Sequence, residues 1–223
     1  MSDLPSSVPA MITRTLRLCA AVLGLLLAAG ADPFGHPAGL LLRDDDRSRG
    51  NPNAPLTLVE YSDYTCRFCV KFFHETWPRL NAEYVERGLV RFVYRDFPRA
   101  VQGPGLQAAV AARCAGEQGR YWQMHDHLFA DESRTLSTAL EGQASAIGLD
   151  PRAFNACLRE GRHVEAVLKE RHEGEALGFH GTPSFVLIRT DPSADGTAVA
   201  LPGAFPFEVF EAQIQRLLSK SKG

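Results

Sequence analysis

Leu56, Leu58 and Glu60 alternate with Thr57, Val59 and Tyr61, and both sets are largely apolar. That pattern predicts a strand covered on both faces in the middle of a sheet. Glu60 is then the odd residue, a carboxylate in a buried strand. After a short polar turn the period changes to that of a helix, which Cys66 begins behind Thr65 as N-cap. The helix is expected to run to about Arg87 and stop at Gly88, with a kink where Pro78 removes a backbone hydrogen bond. Val90 to Tyr94 reads as a second strand, closed by Arg95-Asp96-Phe97-Pro98.

From Leu106 to Leu177 the pattern is helical throughout. Leu106, Val110 and Cys114 share one face; Trp122, Met124, His125 and Phe129 mark a second helix; Leu136 to Ile147 forms a third, ended by Gly148. Asp150-Pro151 is an N-cap followed by proline at the first helical position, opening a helix with Phe154, Cys157 and Leu158 on one side. Val164, Val167 and Leu168 face inward on a last helix that Gly178 ends. Strand patterns return at Ser184 to Ile188 and Thr197 to Leu201, around a turn-rich connection from Asp191 to Gly196. Phe207 to Leu218 is amphipathic. The order is strand, helix, strand, helical block, strand, strand, helix.

The chain has 223 residues, room for one well-cored domain with an insertion. Its N-terminus differs from the rest. Arg14 and Arg17 precede an apolar run from Leu18 to Ala29, and Ala29-Gly30-Ala31 follows as a small-residue cleavage site, the layout of a secretory signal peptide over residues 1–31. The run of about a dozen residues is shorter than the roughly 20 needed to span a bilayer, so an uncleaved anchor is the weaker reading. Cleavage would take the net charge from −2 to −3, a mild acidity that argues against nucleic acid as a partner. It would also remove Cys19 and leave four of five cysteines, an even number in a chain bound for an oxidising compartment. Asp32 to Asn53 has no period and reads as a lead-in.

The chemistry centres on Cys66-Arg67-Phe68-Cys69. A Cys-x-x-Cys opening a helix after a strand is a redox arrangement, because unpaired amides and the positive end of the helix dipole favour a thiolate at the first cysteine. With Arg67 adding a cation, Cys66 is expected to fall from about 8.5 into the range of roughly 3.5 to 7.5. The competing reading is half of a zinc site. Structural zinc takes four ligands at short spacing, whereas Cys114 and Cys157 are far off in sequence and His125 and His127 point to different helix faces. No metal and no cofactor is expected.

These residues resemble the DsbA-like branch of the thioredoxin superfamily, secreted thiol:disulfide oxidoreductases with a helical domain inserted into a thioredoxin fold. The resemblance rests on Gly50-Asn51-Pro52-Asn53-Ala54-Pro55, Glu60-Tyr61-Ser62-Asp63-Tyr64 before the CxxC, Arg95-Asp96-Phe97-Pro98, Trp122-x-Met124-His125-Asp126-x-Leu128-Phe129 and Gly181-Thr182-Pro183-Ser184-Phe185. It implies an α/β thioredoxin fold divided as 54–102, a helical insertion at 103–178, and 179–223. It also implies a cis bond at Thr182-Pro183 beside the CxxC, where the backbone of Thr182 pairs with an extended substrate segment flanked by Arg67 and Phe68. Glu60 would lie under Cys69 and exchange protons with it. The strongest oxidants of the family carry Pro-His where this chain has Arg67-Phe68, and Thr182 occurs in oxidants and isomerases alike. Dimeric isomerase relatives have a sizeable N-terminal domain that Asp32 to Asn53 cannot supply.

The expectation is therefore a monomeric periplasmic dithiol oxidase acting on exported proteins with free thiols and recycled by a membrane redox partner. A reductase or isomerase would use the same residues, and a periplasmic chaperone would use the groove beside Thr182 and Pro183 without the thiols. Position and compartment suggest a second, structural disulfide between Cys114 and Cys157, since both fall on apolar helix faces pointing into the insertion.

Overall fold

In a computed structural model of the chain, residues 42–43, 47–130, 137–191 and 197–219 are described here. The expected signal peptide and most of the 191–196 connection lie outside the described residues. Five strands form one sheet: β1 (Ser48–Arg49), β2 (Leu56–Ser62), β3 (Val90–Asp96), β4 (Ser184–Arg189) and β5 (Ala198–Pro202), in the order β1-β3-β2-β4-β5. β2 pairs parallel with β3 and antiparallel with β4, while β1 and β5 close the edges antiparallel. Every residue of β2 is buried, as a strand with both faces covered must be.

Between β3 and β4 come α3 (Pro104–Gly116), α4 (Tyr121–Ala130), α5 (Ser137–Ala146), α6 (Pro151–Glu160) and α7 (Val164–Ala176). They follow α1 (Arg67–Glu75) and α2 (Trp77–Leu80), and α8 (Phe207–Ser219) ends the fold. Alternate residues of β2 divide two apolar cores. Leu56 and Leu58, with Phe92 and Phe185, face α1, α8 and the inserted helices; Val59 and Tyr61 face Phe97, Leu177, Phe179 and Ile188. Phe72 of α1 packs between Phe185 and Phe210, ring centres 4.6 and 5.6 Å away. Truncating it to alanine would cost about 3–5 kcal/mol.

The single kinked helix expected from Cys66 to Arg87 is in fact three segments. α1 stops at Glu75, Thr76 forms a break before α2, and Asn81–Val85 is a π-helical turn in which the Glu86 amide donates to the Asn81 carbonyl at 2.8 Å. Pro78 explains the break, since it has no amide to give and its ring collides with the carbonyl four residues back. Gly88 then leaves the helix at φ +72°, a left-handed conformation that glycine adopts without strain. The Asp150 cap formed as its sequence suggests: the carboxylate accepts from the Arg152 amide at 2.9 Å.

The lead-in carries more structure than its composition suggests. Ser48 and Arg49 pair with Val93 and Phe92, adding an edge strand that no sequence pattern announced. Beside it a buried ionic cluster ties the lead-in to β3, α3 and α7. Arg47 Nη2 lies 2.6 Å from Glu170 Oε2, Arg113 Nε lies 2.6 Å from Asp96 Oδ2, and the Asp96 amide donates to Glu170 Oε2 at 2.7 Å. Burial opposes the charge of Glu170, but Arg47, Arg113 and Arg95 outweigh it and hold the carboxyl below its ordinary pKa. Removing one partner of such a buried group typically costs about 3–5 kcal/mol.

Candidate active site

The turn from β2 into α1 is shaped by Asp63. Its Oδ1 accepts from the amide and the hydroxyl of Thr65, each at 2.7 Å, and its Oδ2 accepts from the Arg99 amide at 2.8 Å. An aspartate bonded to the backbone two residues on is an Asx turn, and that local spacing was the available sequence signal for it. With the Thr65 hydroxyl so engaged, Thr65 is not the helix cap. Cys66 itself takes the N-cap position, without a side-chain capping bond. Gly105, near the start of α3, approaches this turn so closely that a Cβ would stand 2.8 Å from Asp63 Oδ1.

Cys66 and Cys69 are free thiols. Cys66 Sγ lies 3.3 Å from the carbonyl oxygen of Thr182, and the Thr182-Pro183 bond is cis. Cys66 keeps 5% of its surface exposed while Cys69 is fully covered, so reagents can reach only one sulfur from outside. Glu60, in the middle of β2 between Tyr94 of β3 and Phe185 of β4, is also buried.

Three titrations are displaced together. The Cys66 thiol is pulled down to about 5, first by a hydrogen bond from Cys69 and then, against the opposing effect of burial, by Thr182 and the backbone at Cys69 and Phe68. Cys69 is pushed well up by burial and by its neighbours Cys66 and Glu60. Burial lifts Glu60 to about 8, with Ser62 opposing and the Cys66 charge adding to the rise. Near neutral pH these shifts leave Cys66 as a thiolate, Cys69 as a thiol and Glu60 mostly protonated.

The structure thus gathers Cys66, Cys69, Thr182, Pro183 and Glu60, and leaves Arg67 and Phe68 on the surface. Arg67 differs from the expectation. Its guanidinium lies over the Phe68 ring, 4.7 Å from the centroid, and hydrogen bonds at the helix start lead the lowering of Cys66 in its place. Sequence reasoning missed Asp63, Ser62 and the Thr182 hydroxyl, which is buried without a hydrogen-bond partner of its own. Cys114 and Cys157 are joined by a disulfide between α3 and α6.

A family model described as Thioredoxin matches residues 43–190. The chain belongs to this thioredoxin family. Among solved structures, alpha-DsbA1 of Wolbachia pipientis superposes with a TM-score of 0.74 at 25% identity, covering 83% of this chain and 97% of that one. A thioredoxin-like oxidoreductase from Silicibacter pomeroyi DSS-3 is 28% identical with a TM-score of 0.63, covering 81% and 94%. The fold is therefore the DsbA-type thioredoxin fold with its helical insertion. A Na(+)/H(+) antiporter NhaA 1 of Salinispora arenicola (strain CNS-205) is 32% identical over 143 residues, 64% of this chain and 21% of the antiporter. This chain spans about a fifth of the length of such curated relatives. Among its described residues no helix is long and apolar enough to cross a membrane.

Proposed function

We propose that this thioredoxin-family protein is a thiol:disulfide oxidoreductase working as a dithiol oxidase on exported proteins. The observation that carries the reading is the asymmetry of the two sulfurs. Cys66 is held as a thiolate down to about pH 5, which makes it a good leaving group, while Cys69 is held as a thiol beneath it.

In the oxidised form a substrate thiolate attacks Cys66 Sγ, forms a mixed disulfide and expels Cys69 as a thiolate. Glu60, mostly protonated below pH 8, supplies the proton that Cys69 takes. A second substrate thiolate then attacks the substrate sulfur of the mixed disulfide, and Cys66 leaves as its stabilised thiolate. The substrate has lost two electrons and the protein has gained them. A membrane disulfide acceptor would take them back, with Glu60 receiving the Cys69 proton. Thr182 and Pro183 offer the substrate backbone an edge beside Cys66, and exposed Phe68 offers its side chains an apolar contact. The apolar N-terminal run supports export to the periplasm.

Equilibration of the purified protein in glutathione buffers tests the direction of electron flow. An oxidase should give a reduction potential above roughly −180 mV, nearer the strong oxidants at roughly −120 mV, whereas a value near roughly −270 mV would make the protein a reductase.

A further inference from the structure

Four donor side chains converge where α3, α6 and α7 meet. Cys114 lies on the last turn of α3 and Cys157 on α6, and their Cα atoms are 5.8 Å apart. Glu117 caps the end of α3 and His163 caps the start of α7. Glu117 Oε1 stands 3.6 Å from Cys157 Sγ and 2.9 Å from His163 Nε2. Both sulfurs and a ring nitrogen of His163 lie within 4.8 Å of one another. Arg162 flanks the cluster, its Nη1 2.7 Å from Glu117 Oε2. Two sulfurs, an imidazole and a carboxylate are the donor types and the number that tetrahedral zinc takes. Cys114 and Glu117 are three residues apart on one helical turn and so share a face.

We propose that this cluster is a redox-gated Zn2+ site, closed while Cys114 and Cys157 are bonded and open to the metal once that bond is reduced. A dithiol reductant breaks the Cys114–Cys157 bond, delivering two electrons and two protons and becoming a disulfide itself. Zn2+ then displaces the two thiol protons and is held by both sulfurs, His163 and Glu117. Tetrahedral zinc, with Zn–S near 2.3 Å, keeps its two sulfurs about 3.8 Å apart. Side-chain rotation from Cα atoms 5.8 Å apart reaches that separation. Two thiolates and a carboxylate leave the loaded site one negative charge, which the Arg162 guanidinium offsets. A disulfide oxidant then takes two electrons from the sulfurs and becomes two thiolates, the Cys114–Cys157 bond re-forms, and the ion is released. The inference is independent of the role proposed for Cys66 and Cys69.

The test uses the full chain with Cys19→Ser, Cys66→Ser and Cys69→Ser, so that Cys114 and Cys157 are its remaining cysteines. Oxidised and phosphine-reduced samples are incubated with Zn2+, desalted and assayed for metal by mass spectrometry. The reduced chain should retain about one zinc and the oxidised chain none, and oxidised glutathione should expel the ion. Co2+ in place of zinc should give the visible bands of a tetrahedral thiolate site. His163→Ala and Glu117→Ala should each weaken zinc about tenfold or more against a competing chelator dye. Absence of zinc from the reduced chain overturns the proposal, as does uptake that neither substitution alters. If reduction unfolds the chain, added Zn2+ must restore its circular dichroism; failure to do so overturns the proposal equally.

Discussion

Cys66, the N-cap of α1, and Cys69 in its first turn are three positions apart, whereas Cys114 and Cys157 come from two helices and are separated by 43 positions in sequence. Burial does not distinguish the pairs, because Cys69, Cys114 and Cys157 are all almost wholly covered. Hydrogen-bond donors do. Around Cys66 the Cys69 thiol and the amides at the helix start favour a thiolate, whereas Cys157 Sγ faces an acceptor, the Glu117 carboxylate, at 3.6 Å. A sulfur beside donors is easily released as an anion, and a sulfur facing a carboxylate favours the bonded, uncharged state.

The largest expected effect follows from that contrast. Cys66→Ser should abolish oxidation of a dithiol peptide, while the double variant Cys114→Ser, Cys157→Ser should keep turnover within a few fold. Equal loss in both would show that the pairs act as one redox system. Stability should respond in the opposite sense. Opening a closed loop of 43 residues should cost about 4 kcal/mol in urea unfolding of the double variant, by the chain-entropy account. A cost below about 1 kcal/mol would mean that helix packing, and not the bond, holds the insertion together.

Glu60 sharpens the comparison through pH. Below its ordinary pKa of 4.5 the carboxyl is protonated in both folded and unfolded chains and changes nothing. Between 4.5 and about 8 the unfolded chain gives up the proton that the folded chain keeps, so the Glu60 contribution to stability falls as pH rises. Glu60→Gln removes that dependence. The stability difference between Glu60→Gln and the wild-type reduced protein should therefore grow by a few kcal/mol from pH 4.5 to 8. A difference that stays flat across this range would show a carboxylate that reaches water.

The smallest effect belongs to Thr182. Alkylation of reduced protein should label Cys66 with a midpoint near pH 5 and leave Cys69 unlabelled in the folded state. Thr182→Val keeps the shape and removes the hydroxyl, so the midpoint should rise by about a unit or less. An unchanged midpoint would assign the low value to the helix start and Cys69 alone.

Local pattern determined much of this. The two-residue period of β2, the change of period at Cys66, the Asp150-Pro151 cap and the glycine stops are properties of neighbouring residues, so the order of elements and the place of the CxxC could be read directly. So could the oddness of Glu60, because a carboxylate between apolar neighbours is visible in one dimension. Tertiary structure decided what depends on residues brought together from afar. β1 forms only because β3 offers it an edge, and two residues carry no period to reveal it. Arg47 and Glu170 are 123 positions apart, and the charge of neither says that it will be buried against the other. Arg67 adjoins the thiolate in sequence, yet its rotamer turns it onto Phe68, whereas the carbonyl of Thr182, 116 positions from Cys66, lies 3.3 Å from the sulfur. Sequence sets which groups are available and their local geometry. Which of them meet, and hence which pKa values move, is settled only when the sheet registers and helix packing bring distant side chains within bonding distance.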